Sequence, residues 1–464
     1  MTAVKDRVPG ALRYDYSGLT IVPLTEIKEA VRRLCTLAQT NAATAMIVRQ
    51  DERRSEQGGP AAAAKTAAGT PSRSVSIDYL RTFIVFLVVA FHSTLAYLPH
   101  APAPGHDFVG GEALWRGSPV VDSQRSVGAD VFFFINDTFF MTLMFFVSGL
   151  FVWQSLRRKS GMPFLRDRFL RLGIPFLFGV GVIMPIAHYA SYLQWSGAPG
   201  FENYWRAWRA LSIWPGGPMW FVLMLLAFDI VAAGLFAVAP HWGERVGALA
   251  SRAGERPVRF FAVLLILSAF AYLPLAVAYG PWSWTAWGLV QFQISRPVHY
   301  FVYFVLAVGV GAYGLRQGLL SASGKLARRW WVWALAAVGS VVLSLWLGDA
   351  IVTAIMTSKG PVPPILIYAY DADFVLSCAV LCFALLAVFT RFVQRSNPIF
   401  DSLAANSYGI FIVHYAFVAW LQFALLDASL SGAEKWGLVA AAAYAMSWLA
   451  TAAARRIPAI ARIV

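Results

Sequence analysis

The sequence predicts an all-α polytopic membrane protein of about ten transmembrane helices with both termini in the cytoplasm. Three observations predict it. Of 464 residues 58% are hydrophobic and only 13% charged, against about a quarter charged in a soluble domain. From Ile77 onward the chain is a succession of apolar runs of about 20 residues, the length that crosses roughly 30 Å of hydrocarbon. Lys and Arg also crowd into alternate loops. The net charge of +14 would suggest nucleic acid in a soluble chain. Here basic cytoplasmic loops account for it, so the expected partner is the lipid bilayer and not a nucleic acid.

Residues 1–76 stand apart as a cytoplasmic N-terminal extension, partly disordered. They carry 11 Lys/Arg and 7 Asp/Glu, and the low-complexity stretch from Gln57 to Arg73 has too little apolar surface to bury a core. Thr25 to Ala45 has helical spacing and is read as an amphipathic helix. No apolar run follows the first charges, so no signal peptide is expected.

The spans follow in order: Ile77 to Leu98, Ala129 to Gln154, Leu172 to Leu193, Met219 to Ala239, Phe260 to Tyr279, Val298 to Leu315, Trp331 to Val352, Phe374 to Thr390, Ser407 to Leu426 and Trp436 to Ala453. With a cytoplasmic N-terminus, the inner loops and tail after Ile77 hold 19 Lys/Arg and the outer loops 7, as the positive-inside rule requires. Residues 77–454 thus form one transmembrane domain and 455–464 a short basic tail. The long outer loops, Pro99 to Ser126 and Gln194 to Pro218, are rich in Trp, Pro, Gly and His. Most of the 18 Trp read as interfacial anchors, with a few left to line a cleft.

Ionisable residues inside the spans carry the functional argument, because each costs roughly 2.5–3.5 kcal/mol at mid-depth. The first span holds Arg81 and His92. Eleven residues separate them, about three helical turns, which puts them on one face about 16 Å apart along the axis. Each alone has a plainer explanation: Arg81 can snorkel to the inner headgroups beside Asp78, and His92 can be a satisfied buried histidine. In phase on one face, they read as the two ends of one substrate path. Counted from the outer boundary, Asp137 in the second span lies at the depth of His92 and is the candidate to hold its second ring nitrogen; the alternative is a wet residue near the outer mouth. His414, at mid-depth in the ninth span, is either a site residue or a helix-to-helix hydrogen bond. Asp229 and Asp349 have no assignable partner, and His188 and His299, at outer span ends, read as interfacial.

Other motifs carry less. Gly309, Gly311 and Gly314 have the spacing of a dinucleotide fingerprint but lie in an apolar helix with no preceding strand. Cys378 and Cys382, one turn apart in an apolar run, read as packing residues, with Cys35 in the extension. No His/Cys/Asp grouping has metal-ligand spacing, so no metal is expected.

Several segments in order resemble the acyltransferase 3 family of integral membrane acyltransferases. They are Ile77-Asp78-Tyr79-Leu80-Arg81 with His92 eleven residues after the Arg, Phe145-Phe146-Val147-Ser148-Gly149, Arg168 through Pro175 (RFLRLGIP), Gly217-Pro218-Met219-Trp220-Phe221, and Asn406 through His414 (NSYGIFIVH). The likeness covers about Ile77 to Ala453, and its first three pieces read most like the branch that includes the glucan succinyltransferases. The resemblance implies transfer of an acyl group, acetyl or succinyl, from cytoplasmic acyl-CoA to a hydroxyl of an extracytoplasmic glycan or glycosylated acceptor. It also implies a bacterial-type inner (plasma) membrane location and no permanently bound cofactor, acyl-CoA being a co-substrate. The residues suit that chemistry. Six cations fall within the fifteen positions from Arg157 to Arg171, so Arg157, Arg158, Arg166, Arg168 and Arg171 are expected to bind the anionic donor with Arg81, whose fork fits a phosphate. His92 is the expected general base, Asp137 its orienting partner, and Ser148 and His414 further substrate-site residues, although Ser148 and Gly149 also suit close helix packing. Direct transfer is preferred to an acyl-enzyme, since no Ser or Cys in the matched segments has an activating partner at the depth of His92. The rival class is a glycan or lipid-linked sugar transporter. No internal two-fold repeat or broken helix pair in matching positions supports it.

Overall fold

The computed structural model describes residues 74–463, apart from 106, 197–198, 254–255, 288 and 358–361. The extension's helix at Thr25 to Ala45, and Cys35, lie outside the described residues. Helix α1 spans Val75–Thr94 and α2 Val127–Gly149, its start capped by the Ser126 side chain on the amide of Ala129. The short α3 (Val152–Lys159) follows, then α4 (Gly161–Ser196), α5 (Phe201–Ala210), α6 (Trp220–Val238), α7 (Trp242–Ser251) and α8 (Pro257–Tyr279). A hairpin of β1 (Trp284–Trp287) and β2 (Val290–Gln293), paired antiparallel with Trp284 opposite Gln293, leads into α9 (Arg296–Tyr313). Then come α10 (Trp330–Thr357), α11 (Pro364–Phe392), α12 (Pro398–Ala424) and α13 (Gly432–Ala454).

Among the described residues nine helices are long and apolar enough to span a membrane. The remaining expected span, Val298 to Leu315, corresponds to α9, which passes the same test together with Gly318–Arg328, bent from it by 79°. The protein is therefore an all-α, multi-pass membrane protein. Several bounds differ from the sequence reading. Helix α4 begins at Gly161, eleven residues before the expected Leu172, because the charged stretch before Leu172 continues helical. Its axis is widened by two π-turns, Phe169–Gly173 and Gly179–Ile183. Helix α11 starts ten residues before Phe374.

Helix α1 lies at the centre, packed against α2, α11, α12 and α13. Its neighbours are set up by local chemistry: Asn397 caps α12, its side chain accepting from the amides of Ile399 and Phe400 ahead of Pro398, and Ser431 with Glu434 forms a capping box on α13. Helices α2 and α9 cross closely. A Cβ on Gly149 would lie 2.5 Å from Phe304 O, so only glycine admits that crossing. The two long loops expected on the outer side are not open aromatic surfaces. Trp115, Trp195 and Trp208 are buried with Phe108, Tyr192 and Tyr204 in a second core, which sits against α12 through Tyr415 and Ala419.

Candidate active site

Helices α1 and α12 run in the same direction, and three contacts fix their register. Tyr79 donates to Asp401 Oδ1 at 3.0 Å near the start of both helices. His414 Nε2 lies 3.1 Å from His92 Nδ1 further along. At the end of α1, the Gln422 amide donates to the carbonyls of His92 (3.2 Å) and Ser93 (3.1 Å). The fold thus brings together two histidines separated by 322 positions in sequence.

Backbone carbonyls assign the protons of the pair. His414 Nδ1 donates to Phe411 O at 2.7 Å, so its Nε2 carries a lone pair. His92 Nδ1 donates to Val88 O at 2.9 Å and faces the His414 lone pair with the same N–H. His92 Nε2 has no hydrogen-bond partner among the described residues. The His92 ring lines a crevice with Leu95, Pro119, Tyr415, Val418, Ala419 and Gln422, and the Tyr415 ring meets it edge-on at 5.1 Å. One ring nitrogen is thus held and the other is without a partner among the described residues.

The C-terminal end of α1 is fastened. Arg125 donates to Leu98 O and Ala101 O, each at 3.2 Å, the Ser126 amide to Tyr97 O and the Asp122 amide to Ala96 O. Lys435 and Asp122, both 0% exposed, pair at 2.7 Å, and Lys435 also reaches Leu426 O at 3.0 Å. Two cations counted in the outer loops are thus engaged within the protein, Arg125 half-buried against the chain after α1 and Lys435 fully buried on α13, which holds the backbone after His92 in place.

Asp137 requires a correction. It does not hold His92 but forms a two-pronged ion pair with Arg296, at 3.0 Å from Nη1 and 2.5 Å from Nη2. Arg296 lies over the Phe374 ring at 5.0 Å. The reason is depth. Asn136 donates to Leu87 O, and Phe133 stacks on Phe91 at 4.5 Å, so Asp137 is level with the Phe86–Leu87 turn, about 8 Å inward of His92. Val88 O and His414 occupy the place expected for it.

The other expected site residues are distributed as follows. Arg81 lies near the start of α1, 39% exposed and 3.7 Å from Asp78. Arg157 pairs with Glu244 at 3.7 Å, Arg171 with Asp167 at 3.7 Å and Lys159 with Asp167 at 2.8 Å. Arg158 and Arg166 are exposed. Arg168 pairs at 3.3 Å with Asp229, the carboxylate for which the sequence offered no partner. Ser148 donates its hydroxyl to Met144 O at 2.8 Å, within its own helix. The basic residues sit around the starts of α1 and α4, whereas the histidine pair sits toward the far ends of α1 and α12.

His188 and His299 are not interfacial. His188, 1% exposed, donates from Nδ1 to Met184 O at 3.0 Å and lies in the Trp115 and Trp208 core. His299, 0% exposed, has Ser268 Oγ 2.7 Å from Nδ1 and Cys378 Sγ 3.5 Å from Nε2. Cys378 lies fourteen residues into α11, so that helix projects about four turns beyond His299 and covers it. No group of three or more His, Cys, Asp or Glu among the described residues is placed to hold a metal.

Sequence reasoning missed Tyr415 and Gln422. Their signal was present, since Tyr415, Val418, Ala419 and Gln422 follow the i, i+3, i+4, i+7 spacing of one helix face.

Fold and site together define a multi-pass membrane protein with a histidine pair inside its helix bundle and a basic surface at the opposite end of the same helices. Comparison supplies the family. Residues 74–454 match the acyltransferase 3 family, whose matching unit is described as an acyltransferase domain. The chain belongs to that family and is a membrane acyltransferase. No curated protein matches it.

Proposed function

We propose that the protein moves an acyl group, acetyl or succinyl, from cytoplasmic acyl-CoA to a hydroxyl of an extracytoplasmic glycan or glycosylated acceptor. His92 is the general base. In this reading both termini and the basic starts of α1 and α4 face the cytoplasm of a bacterial-type inner membrane, and the His92 crevice faces the acceptor side. The observation that carries the proposal is the state of His92: Nδ1–H is held by Val88 O and His414 Nε2, which leaves Nε2 as the basic nitrogen, without a partner among the described residues, on a ring that borders a narrow crevice.

A sugar hydroxyl is a poor nucleophile at neutral pH, so a base is needed as it attacks. Nε2 of His92 takes the hydroxyl proton while the oxygen bonds to the thioester carbonyl carbon. Collapse of the adduct breaks the C–S bond, and Nε2 returns the proton to the departing thiolate, giving an ester and CoA thiol. Neither Val88 O nor His414 has to move when the ring becomes protonated, since both accept from Nδ1–H in either state. At the other end, Arg81 and the cations from Arg157 to Arg171 bind the phosphates of the donor. The roughly 16 Å rise from Arg81 to His92 matches the reach of a pantetheine arm, so one donor molecule spans both. Ser148, its hydroxyl committed to Met144 O, has a packing role in this scheme.

The test is transfer of label from a set of radiolabelled acyl-CoAs to membrane glycans, with wild type and His92→Ala at matched amounts of folded protein. The expected result is transfer by wild type and a loss of roughly a hundredfold or more in the variant, the typical contribution of a positioned base, with donor binding retained. Absence of transfer from every acyl-CoA by wild type overturns the proposal.

A further inference from the structure

Asp229 is 1% exposed in the middle of α6, inside the bundle, where a lone carboxylate is costly. Neither of its oxygens has a hydrogen-bond partner among the described residues. Its charge is met by Arg168, whose Nε lies 3.3 Å from Asp229 Oδ2. Arg168 is also held from the side, its guanidinium carbon 5.0 Å from the centre of the Phe164 ring. The ion pair therefore engages the inner edge of the guanidinium. Among the described residues the two terminal nitrogens have no hydrogen-bond partner and are not buried unsatisfied atoms, and the side chain keeps 21% of its exposure. That is the half of the group that can grip two oxygens of one phosphate. The neighbouring backbone is fixed as well. The π-turn at Phe169–Gly173 follows Arg168 directly, and Tyr408 of α12 donates to Arg171 O at 2.7 Å. α12 also carries His414, so the basic turn of α4 is fastened to one of the two helices that form the histidine pair.

We infer that Asp229 is a positioning residue: it holds Arg168 by Nε so that the outer edge of the guanidinium receives a phosphate or diphosphate group of the thioester donor. This rests on the acyl-CoA reading of the preceding section. It adds a role for a residue of α6 that touches no substrate. A phosphate could also arrive as a lipid headgroup, and the experiment separates the two sources.

The experiment measures KM and kcat for purified wild type, Asp229→Asn and Asp229→Glu in vesicles of defined lipid composition. Two donors are used: acyl-CoA, and the matching acyl-pantetheine thioester, which has no phosphate. Loss of a charge-assisted contact predicts a rise in KM for acyl-CoA of roughly ten- to a hundredfold in Asp229→Asn, with kcat little changed. With acyl-pantetheine the rise should disappear. Asp229→Glu keeps the charge on a longer arm and displaces the guanidinium, so an intermediate rise is expected where Asp229→Asn does not fold. In an Arg168→Gln background, Asp229→Asn should raise KM no further, because both changes remove the same contact. Equal KM effects on the two donors overturn the inference. An effect that follows the anionic lipid content instead of the donor assigns Arg168 to a headgroup and overturns it as well. Failure of wild type to use any acyl-CoA is a different result, which strikes the preceding proposal.

Discussion

Two buried histidine clusters, built from similar parts, differ in what is left over. At His299 both ring nitrogens are engaged, by Ser268 and by Cys378, and the ring is enclosed by Tyr272, Tyr303 and Phe374. At His92 one nitrogen is engaged twice, by Val88 O and His414, and the other is open on a crevice. Both rings lie inside a membrane bundle, but His299 is fully buried with both nitrogens used, whereas His92 is half-buried with one nitrogen left over. The separating feature is an uncommitted basic nitrogen on a half-buried ring. A buried histidine with both nitrogens used contributes to stability, whereas one held by a single nitrogen is free for proton transfer.

The comparison can be broken by substitutions that act on one cluster at a time. His92→Ala, the largest expected effect, was set out above. Next is His414→Ala, which leaves His92 Nδ1 with Val88 O alone. Outer partners of a working histidine are worth roughly ten- to a hundredfold, so kcat for label transfer should fall by that factor with KM for acyl-CoA unchanged. His414→Gln, able to accept from His92 Nδ1–H through its amide oxygen, should recover part of the loss. An unaltered kcat in His414→Ala would reduce His414 to a packing residue. A smaller effect is expected from Gln422→Leu. Its amide ties α12 to the carbonyls of His92 and Ser93; His92 O keeps the Leu95 amide as donor, so the change costs about 0.5–1.5 kcal/mol per hydrogen bond lost. Detergent melting should show the lower stability, with kcat reduced only several-fold, because Arg125 and Lys435 still fasten that end of α1. Loss of activity as large as in His92→Ala would give Gln422 a direct part in the reaction.

The spans and the in-phase placement of Arg81 and His92 were legible in the sequence, because hydropathy and helical period are local signals. What was not legible depended on depth and on distant partners. Asp137 was misplaced by about a turn and a half, since apolar run boundaries do not mark where α2 stands against α1; the Asn136 and Phe133 contacts do. Asp229 lacked a partner because Arg168 was assigned to a loop, and the charged residues before Leu172 hid the first turns of α4. Eight of the ten residues by which α11 precedes its expected start lie at Pro364 to Asp371, a polar-ended segment that reads as a loop. The contacts of His299 with Phe374 and Cys378 join it to residues 75 or more positions away, which no local pattern shows. His414 was recognised as a candidate, but its contact with His92 joins positions 322 apart, and no local pattern encodes it.

The weakest effect on transfer is expected at His299, and it tests the comparison from the other side. His299→Ala removes a ring packed on all sides and leaves Ser268 Oγ and Cys378 Sγ without their partner in a region closed to water. The unsatisfied hydroxyl costs about 1–3 kcal/mol and the cavity from a large-to-small change adds further loss, so the melting temperature in detergent should drop clearly. Cys378 should also become reactive to a small membrane-permeant thiol reagent that wild type resists, since the ring that covers its sulfur is gone. The rate of label transfer per folded molecule, however, should match wild type, because neither nitrogen of His299 is available to a substrate in the intact bundle. If transfer per folded molecule instead falls as it does in His92→Ala, an engaged pair of nitrogens does not mark a structural histidine here, and the distinction between the two clusters fails.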